Sequence, residues 1–585
     1  MFSQLWKHNT FTLLLGCLVG IVTAGVFARN SELIDPKSFG DLGIESLYEA
    51  IQSDLPASLA SDIRDLLNGE KQVVDSSESF SIGLKMASEG YKAHHPLVMI
   101  PGVISTGLES WGTSNSSRAY FRKRLWGSWT MMRALVLDKD VWKKHIMLDT
   151  KTGLDPPDIK IRAAQGFDAA DFFITGYWLW SKIIENLASI GYDPTNSHTA
   201  AYDWRLSYAN LEVRDRYLSH LKAHIETSVN TQGKKATLIS HSMGSQVLFY
   251  FFHWVASEQG GKGGDGWVEK YIDSWVNVSG CMLGAIKGAP AVLSGEMRDT
   301  AQLNAIAGHG LEKFLSKGDR ADIFRAMPGV SSMFPIGGTA IWGDLESAPD
   351  DLPGQGFTFG SVLNFRDNVN PSGGPKNFTI DDTMDYLYST TEEWYRNMAK
   401  NSYSKGVAYS ADEVNANEND PSKWINPLET RLPLAPSLKI YCFYGVGKAT
   451  ERAYYYKKSN SIFNSQPNIT IDTSVTENHI DHGVIMGEGD GTVNLLSAGY
   501  MCNKGWKMPR YNPAGAKVTV VELPHNPETF NLRGGSTTAD HVDILGSQPL
   551  NKLLLKVAAG KGDEIQESVI SNIMTYAEKV RIPDN

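Results

Sequence analysis

Cysteine is scarce in this chain: 585 residues hold four, Cys17, Cys281, Cys442 and Cys502. No C-x-x-C pair and no Cys/His group with metal-ligand spacing occurs, which excludes a zinc module and a cysteine-dense disulfide scaffold. A basic surface is also missing. The formal net charge is −10, so the electrostatic footprint of a nucleic-acid binder is absent. There is no internal repeat and no low-complexity tract, which excludes a solenoid and a largely disordered chain. No metal, cofactor or nucleic-acid partner is expected, and no motif specifies an oligomer. What is there is 42% hydrophobic and 10% aromatic, the make-up of a large globular enzyme with ample core.

A run of membrane length opens the chain. Thr10 to Ala28 (TFTLLLGCLVGIVTAGVFA) is 19 residues without a charge. As a helix it spans about 28 Å, enough to cross a hydrocarbon core. Lys7 in the short tail 1–9 favours a cytosolic N-terminus, which makes the body lumenal in a single-pass, type II arrangement. Val26-Phe27-Ala28 resembles a signal-peptidase site, but the run exceeds the roughly 7–15 residues of a signal h-region, so an uncleaved anchor over 10–28 is the preferred reading. Residues 29–90 read as a juxtamembrane connection and 91–585 as the catalytic domain. Four N-x-S/T sequons, at Asn115, Asn277, Asn377 and Asn468, accord with export; Asn277 lies in an apolar, strand-like run and is expected to be buried and unmodified. An oxidising lumen would permit Cys442 to pair with Cys502, leaving Cys281 free.

From Leu97 onward, short apolar runs alternate with amphipathic helical stretches. LVMI (97–100), ATLIS (236–240), IDSWVNV (272–278), LKIYCFYG (438–445) and VTVVEL (518–523) are apolar, β-branched and close to Gly or Pro. Strands separated by helices predict an α/β fold with a largely parallel sheet covered on both faces. Between about 290 and 435 the alternation gives way to Gly/Pro-rich and acidic text, too long for a loop, which predicts a cap insertion.

Ser240-His241-Ser242-Met243-Gly244 follows the strand ATLIS and opens a long apolar helix. A serine on a tight strand-to-helix turn has its hydroxyl held at the sheet edge, and the N–H of the next residue, Met243, faces a developing oxyanion. Ser240 stands where this elbow usually has its first glycine. A serine hydroxyl is a weak nucleophile and needs a histidine oriented by an acid, in the chain order Ser, acid, His. Asp490, between Gly489 and Gly491, is the acid candidate, with Asp481 and Glu488 as rivals. His525 and His541 both follow the last strand, and spacing does not choose between them. The turn after LVMI makes the Val103 N–H the candidate second oxyanion donor. Arg118 to Trp142 mixes basic and large apolar side chains, including Phe121, Arg122, Trp126 and Trp129, which suits either a lid at a lipid interface or a packed amphipathic helix.

The runs FRKRLWGSW, TGLDPPDIKIRAAQGF, AYDWRLSY, SHSMGSQVLFYF, ERAYYYK, GEGDGTVN, YNPAG and ADHVDILG, in this order over roughly residues 90–560, resemble the lecithin–cholesterol acyltransferase family, most closely its fungal members. The resemblance implies an α/β-hydrolase fold in the endoplasmic-reticulum membrane. It implies transfer of a phospholipid sn-2 acyl group to diacylglycerol, giving triacylglycerol and lysophospholipid, with no cofactor. Ser242, Asp490 and His541 take the roles of nucleophile, acid and base, and the resemblance thereby decides against His525. It further implies Val103 and Met243 as oxyanion donors, a lid over about 111–145 that adds Trp111 to the lipid-facing side chains, and a disulfide between Cys442 and Cys502. Relatives close the lid with a second disulfide. No cysteine lies between Cys17 and Cys281, so a looser lid is expected. The residue pattern by itself leaves open a phospholipase A or ester hydrolase with the same triad, and a non-catalytic lipid-binding membrane protein.

Overall fold

Six parallel strands form the central sheet in the computed structural model, which describes residues 80–584 apart from 175–176, 302–314, 366–375, 460–467, 478, 529–530 and 532. They are β1 (Leu97–Ile100), β2 (Ser197–Thr199), β3 (Ala236–His241), β4 (Ile272–Val278), β5 (Lys439–Val446) and β6 (Lys517–Pro524), in the order β2-β1-β3-β4-β5-β6. Every neighbouring pair runs parallel. Helices cover both faces, so strands such as β1 and β3 are buried along their whole length, which is why they read as unbroken apolar runs. The edge strand β2 (Ser-His-Thr) has no such run and is recruited by pairing with β1.

The strand order reverses between β1 and β3. Such a reversal opens a crevice beyond the C-terminal strand ends, where ligands bind in open α/β sheets. The helix Met243–Ala256 leaves β3 at this point with Met243 to Val255 all buried, as an all-round apolar helix must be. Its Phe249 and Phe252 pack on Trp275 of β4, and Trp506 closes the same cluster.

A second, mixed sheet stands beside the first. It joins Asn377–Phe378, Leu363–Phe365, Lys448–Lys458, Val484–Gly489 and Ile480–Asp481, with Ile469–Ile471 against the far end of the long strand. The chain leaves β5 at Val446, runs out along Lys448–Lys458, and returns along Val484–Gly489 to the central sheet's edge. Cys442 in β5 is bonded to Cys502 in the helix Leu495–Asn503, so the disulfide joins the two ends of this excursion. Within the expected cap, about 290–435, the described residues form short helices from Gly288–Ser294 to Ala411–Ala416, joined by irregular stretches and by the strands Leu363–Phe365 and Asn377–Phe378.

Residues 108–163 are built around a three-stranded antiparallel sheet with Leu108–Ser110 between Arg124–Trp126 and Ile161–Ala163. Hydrogen bonds from Trp111 N to the Lys160 carbonyl (2.7 Å) and from the Ser114 and Ser117 hydroxyls to the Asp158 carbonyl fasten its rim. These bonds fall in the segment where the sequence offers no cysteine for a disulfide. The helix Ser81–Ser88, at the end of the expected connecting segment, packs on the body through Met86, and its Gly83 N–H donates to Asn186 Oδ1. The expected anchor at 10–28, with the tail before it and residues 29–79 after it, lies outside the described residues. Among the described residues no helix is long and apolar enough to cross a membrane.

Candidate active site

Ser242 sits between β3 and its helix at φ 56°, ψ −127°, a backbone region that non-glycine residues rarely occupy. The strain holds its side chain at the sheet edge. Gly244 lets the turn close: a β-carbon there would lie 2.5 Å from the Pro101 carbonyl oxygen and 2.6 Å from that of Ile100. Ser240 has acquired a use of its own. Trp275 Nε1 donates to its hydroxyl (2.8 Å), which pairs with Ser245 Oγ (2.9 Å), and Ser245 donates to Asn277 Oδ1 (2.8 Å). Asn277 is thus buried beneath the elbow.

His541 is placed by the turn after β6. Its Nδ1 lies 2.7 Å from Asp490 Oδ2 and its Nε2 2.8 Å from Ser242 Oγ. A carboxylate only accepts, so Nδ1 carries the proton and Nε2 is free to accept from the serine. The other oxygen of Asp490 accepts the N–H groups of Thr492 (3.0 Å) and Val493 (2.7 Å), and the His541 N–H donates to the Asp490 carbonyl (2.9 Å). The three residues are 4%, 0% and 4% exposed for Ser242, Asp490 and His541, so the hydrogen-bonded chain is shielded from water. His241, inside the elbow, turns away from the serine and donates Nε2–H to the His541 carbonyl (2.7 Å); burial, then the neighbouring His541, pushes its pKa down to about 3.

The rival residues lie elsewhere. Asp481 pairs with Arg298 and His482, Glu488 accepts from Tyr576, and His525 Nδ1 accepts the Ala539 N–H (3.2 Å). Cys281, which pattern did not single out as a site residue, places its buried thiol beside the Ser242 hydroxyl, and burial raises that thiol to about 12.

Met243 is the first residue of its helix, so its N–H is among the first-turn donors without an intrahelical acceptor. Val103 follows Gly102, whose loop presses against the elbow: a β-carbon on Gly102 would come within 2.9 Å of Ser242 Cβ. Of the lid side chains, Trp111 and Phe121 are exposed and meet edge-on at 5.9 Å, with the Arg122 guanidinium 5.8 Å above the indole. Arg118 reaches Asn115 Oδ1 (3.1 Å). Trp126 is half-buried. It packs edge-on against Trp204 (5.0 Å) and Phe173 (5.4 Å) because its indole N–H finds the Ile104 carbonyl at 2.9 Å. Trp129 opens the helix Trp129–Leu137, and its side chain lies outside the described residues.

Comparison with known proteins supplies the family. Residues 120–548 match the family model for lecithin:cholesterol acyltransferase. The chain is 48% identical to a phospholipid:diacylglycerol acyltransferase of Schizosaccharomyces pombe, over 99% of this chain and 91% of that one. It is 45% identical to the enzyme of the same description from Saccharomyces cerevisiae, over 99% and 89%. Phospholipid:diacylglycerol acyltransferase 1 of Arabidopsis thaliana is 36% identical over 85% of each chain. The chain belongs to the lecithin:cholesterol acyltransferase family.

Proposed function

We propose that this protein moves the sn-2 acyl group of a phospholipid to diacylglycerol through an acyl-Ser242 intermediate, forming triacylglycerol and lysophospholipid. The observation that carries the reading is the single imidazole of His541 bridging the Ser242 hydroxyl and the Asp490 carboxylate. His541 takes the serine proton as Ser242 attacks the ester, while the Met243 and Val103 N–H groups receive the oxyanion. The same imidazole returns the proton to the departing lysophospholipid oxygen. It then deprotonates the diacylglycerol hydroxyl that attacks the acyl-serine, which frees Ser242 again. An alcohol outcompetes water as acceptor only in a drained site, and the acceptor preference is taken from the relatives named phospholipid:diacylglycerol acyltransferase.

Both substrates are bilayer lipids. The exposed Trp111 and Phe121 with Arg122 beside them suit a headgroup-level contact, apolar rings below and guanidinium toward phosphate. The uncharged run 10–28 supplies a single-pass anchor, with the catalytic domain in the endoplasmic-reticulum lumen; the Cys442–Cys502 bond suits that oxidising side. The test is reconstitution with labelled phosphatidylcholine and diacylglycerol. Wild type should form triacylglycerol and Ser242→Ala should not. Free fatty acid as the main product would make it a phospholipase, and triacylglycerol formation unchanged by Ser242→Ala would refute the assignment.

A further inference from the structure

We propose that the Lys448–Asp540 ion pair is a positioning element that ties the turn carrying Asp490 to the turn carrying His541 and balances the charge felt by the imidazole. The proposal rests on the reading of Ser242, Asp490 and His541 as a catalytic triad.

Lys448 is held beside the acid by its own main chain, which pairs with Gly489 and bridges to Asp490. Its side chain then crosses Gly491 to reach the Asp540 carboxylate, 92 positions further along the chain. The crossing depends on that glycine. A β-carbon at 491 would lie 2.8 Å from Lys448 Cδ, 3.0 Å from Cε and 3.3 Å from Asp540 Oδ2. At the other end, Asp540 Oδ1 accepts the N–H groups of Val542 (3.1 Å) and Asp543 (3.4 Å), fixing the chain that enters the short helix Asp543–Gly546 directly after His541. One ammonium therefore fastens two loops that no regular hydrogen-bond ladder of the central sheet joins.

The pair also has an electrostatic consequence. His541 faces Asp490 on its Nδ1 side and Ser242 on its Nε2 side, with neutral His241 against its carbonyl. Asp540 precedes it in the chain, Lys448 and His525 lie just beyond, the Asp543–Arg533 pair sits on the following turn, and the Cys281 thiol lies beside Ser242. Two carboxylates thus flank the imidazole, and only one is used by the ring. Side chains of Lys448 and Asp540 are 21% and 15% exposed, so solvent screens the second carboxylate poorly and the ammonium must cancel it. Burial pushes the Asp540 carboxyl up, but the Lys448 charge outweighs this and holds it below its usual range, which keeps it ionised.

The two halves of the pair must therefore act on His541 with opposite sign, which mere structural support does not. The experiment measures the rate of Ser242 labelling by a fluorophosphonate against pH, using the full chain in membranes. Lys448→Met leaves Asp540 uncompensated, favours the imidazolium, and should move the acid limb up on the order of one pH unit. Asp540→Asn leaves the ammonium alone and should move the limb down. Lys448→Arg and the double variant Lys448→Met with Asp540→Asn should lie near wild type. Limbs that move in the same direction, or rates that fall with the limb unmoved, overturn the proposal. Should Lys448→Met fail to accumulate as folded protein, the sign of the Asp540→Asn displacement decides alone. A His541→Ala protein labelled as fast as wild type refutes the triad reading and the pair's role with it; a slow His541→Ala beside unmoved limbs refutes the pair alone.

Discussion

The main-chain carbonyl of His541 is held by the ring of His241, the residue next to Ser242 in the chain. The turn carrying Ser242 and the turn carrying His541 are thereby joined by a bond independent of the Ser242–His541 contact. Replacing His241 with Phe leaves that buried carbonyl unpaired, at a cost of about 1–3 kcal/mol. His241→Phe should lower kcat roughly tenfold with KM little changed, the size of loss expected when a positioning contact worth about 1.4 kcal/mol in the transition state is removed. His241→Gln, which keeps an N–H donor, should recover most of it. Steady-state kinetics on both variants check this, and equal losses would rule the bond out.

Restoring the family glycine at the elbow should harm this protein. Ser240→Gly removes the oxygen to which Trp275 Nε1 donates and the partner of Ser245 Oγ. An unpaired buried donor costs about 1–3 kcal/mol, and glycine adds backbone entropy to the unfolded chain. Thermal or denaturant unfolding of the variant should show the drop.

The four sequons should separate by burial. Asn115, Asn377 and Asn468 are exposed, whereas Asn277 lies within β4 and accepts from Ser245. In a secretory host, Asn277→Gln should leave the glycan mass unchanged on glycosidase digestion while lowering stability. A loss of one glycan from that variant would contradict the buried placement.

Stability should fall on the acid side of neutrality. Burial pushes His241 and His253 down to about 3 and His198 down to about 4, with His541, Arg431 and His224 respectively adding to the effect. Each folded-state pKa lies below the unfolded value, so the unfolded chain binds more protons between the two. The stability these neutral rings retain is complete above about pH 6.5 and is lost as pH falls toward 3–4. Melting temperature against pH should show this decline, and His253→Leu should flatten it.

Five central strands were legible because a sheet buried on both faces demands continuous apolar text. Strand β2 was not, since an edge strand of Ser-His-Thr owes its existence to its neighbour. The second sheet was equally hidden: Lys448–Lys458 reads KATERAYYYKK, charged and aromatic together, and one of its partners, Leu363–Phe365, lies about 90 positions away. Chain order pointed to Ser242 and Asp490, whereas His525 and His541 both follow β6 and differ only in how the intervening loop turns back. The Lys448–Asp540 pair left no trace in periodicity, since no regular spacing relates positions 92 residues apart. The packing of half-buried Trp126 on Trp204 and Phe173 was not legible either, because composition says nothing about which way each side chain points.

The Cys442–Cys502 bridge closes a loop with a sequence separation of 60, which contains both strands that bring Asp490 to the serine. Cross-linking a segment of that length removes on the order of 4 kcal/mol of freedom from the unfolded chain. A thiol-reduced chain keeps the strand pairing and the His541 N–H bond that hold Asp490 but loses the covalent clasp across the excursion that carries it. The bridge thus clamps, at its two ends, the same excursion that His541 grips through the Asp490 carbonyl.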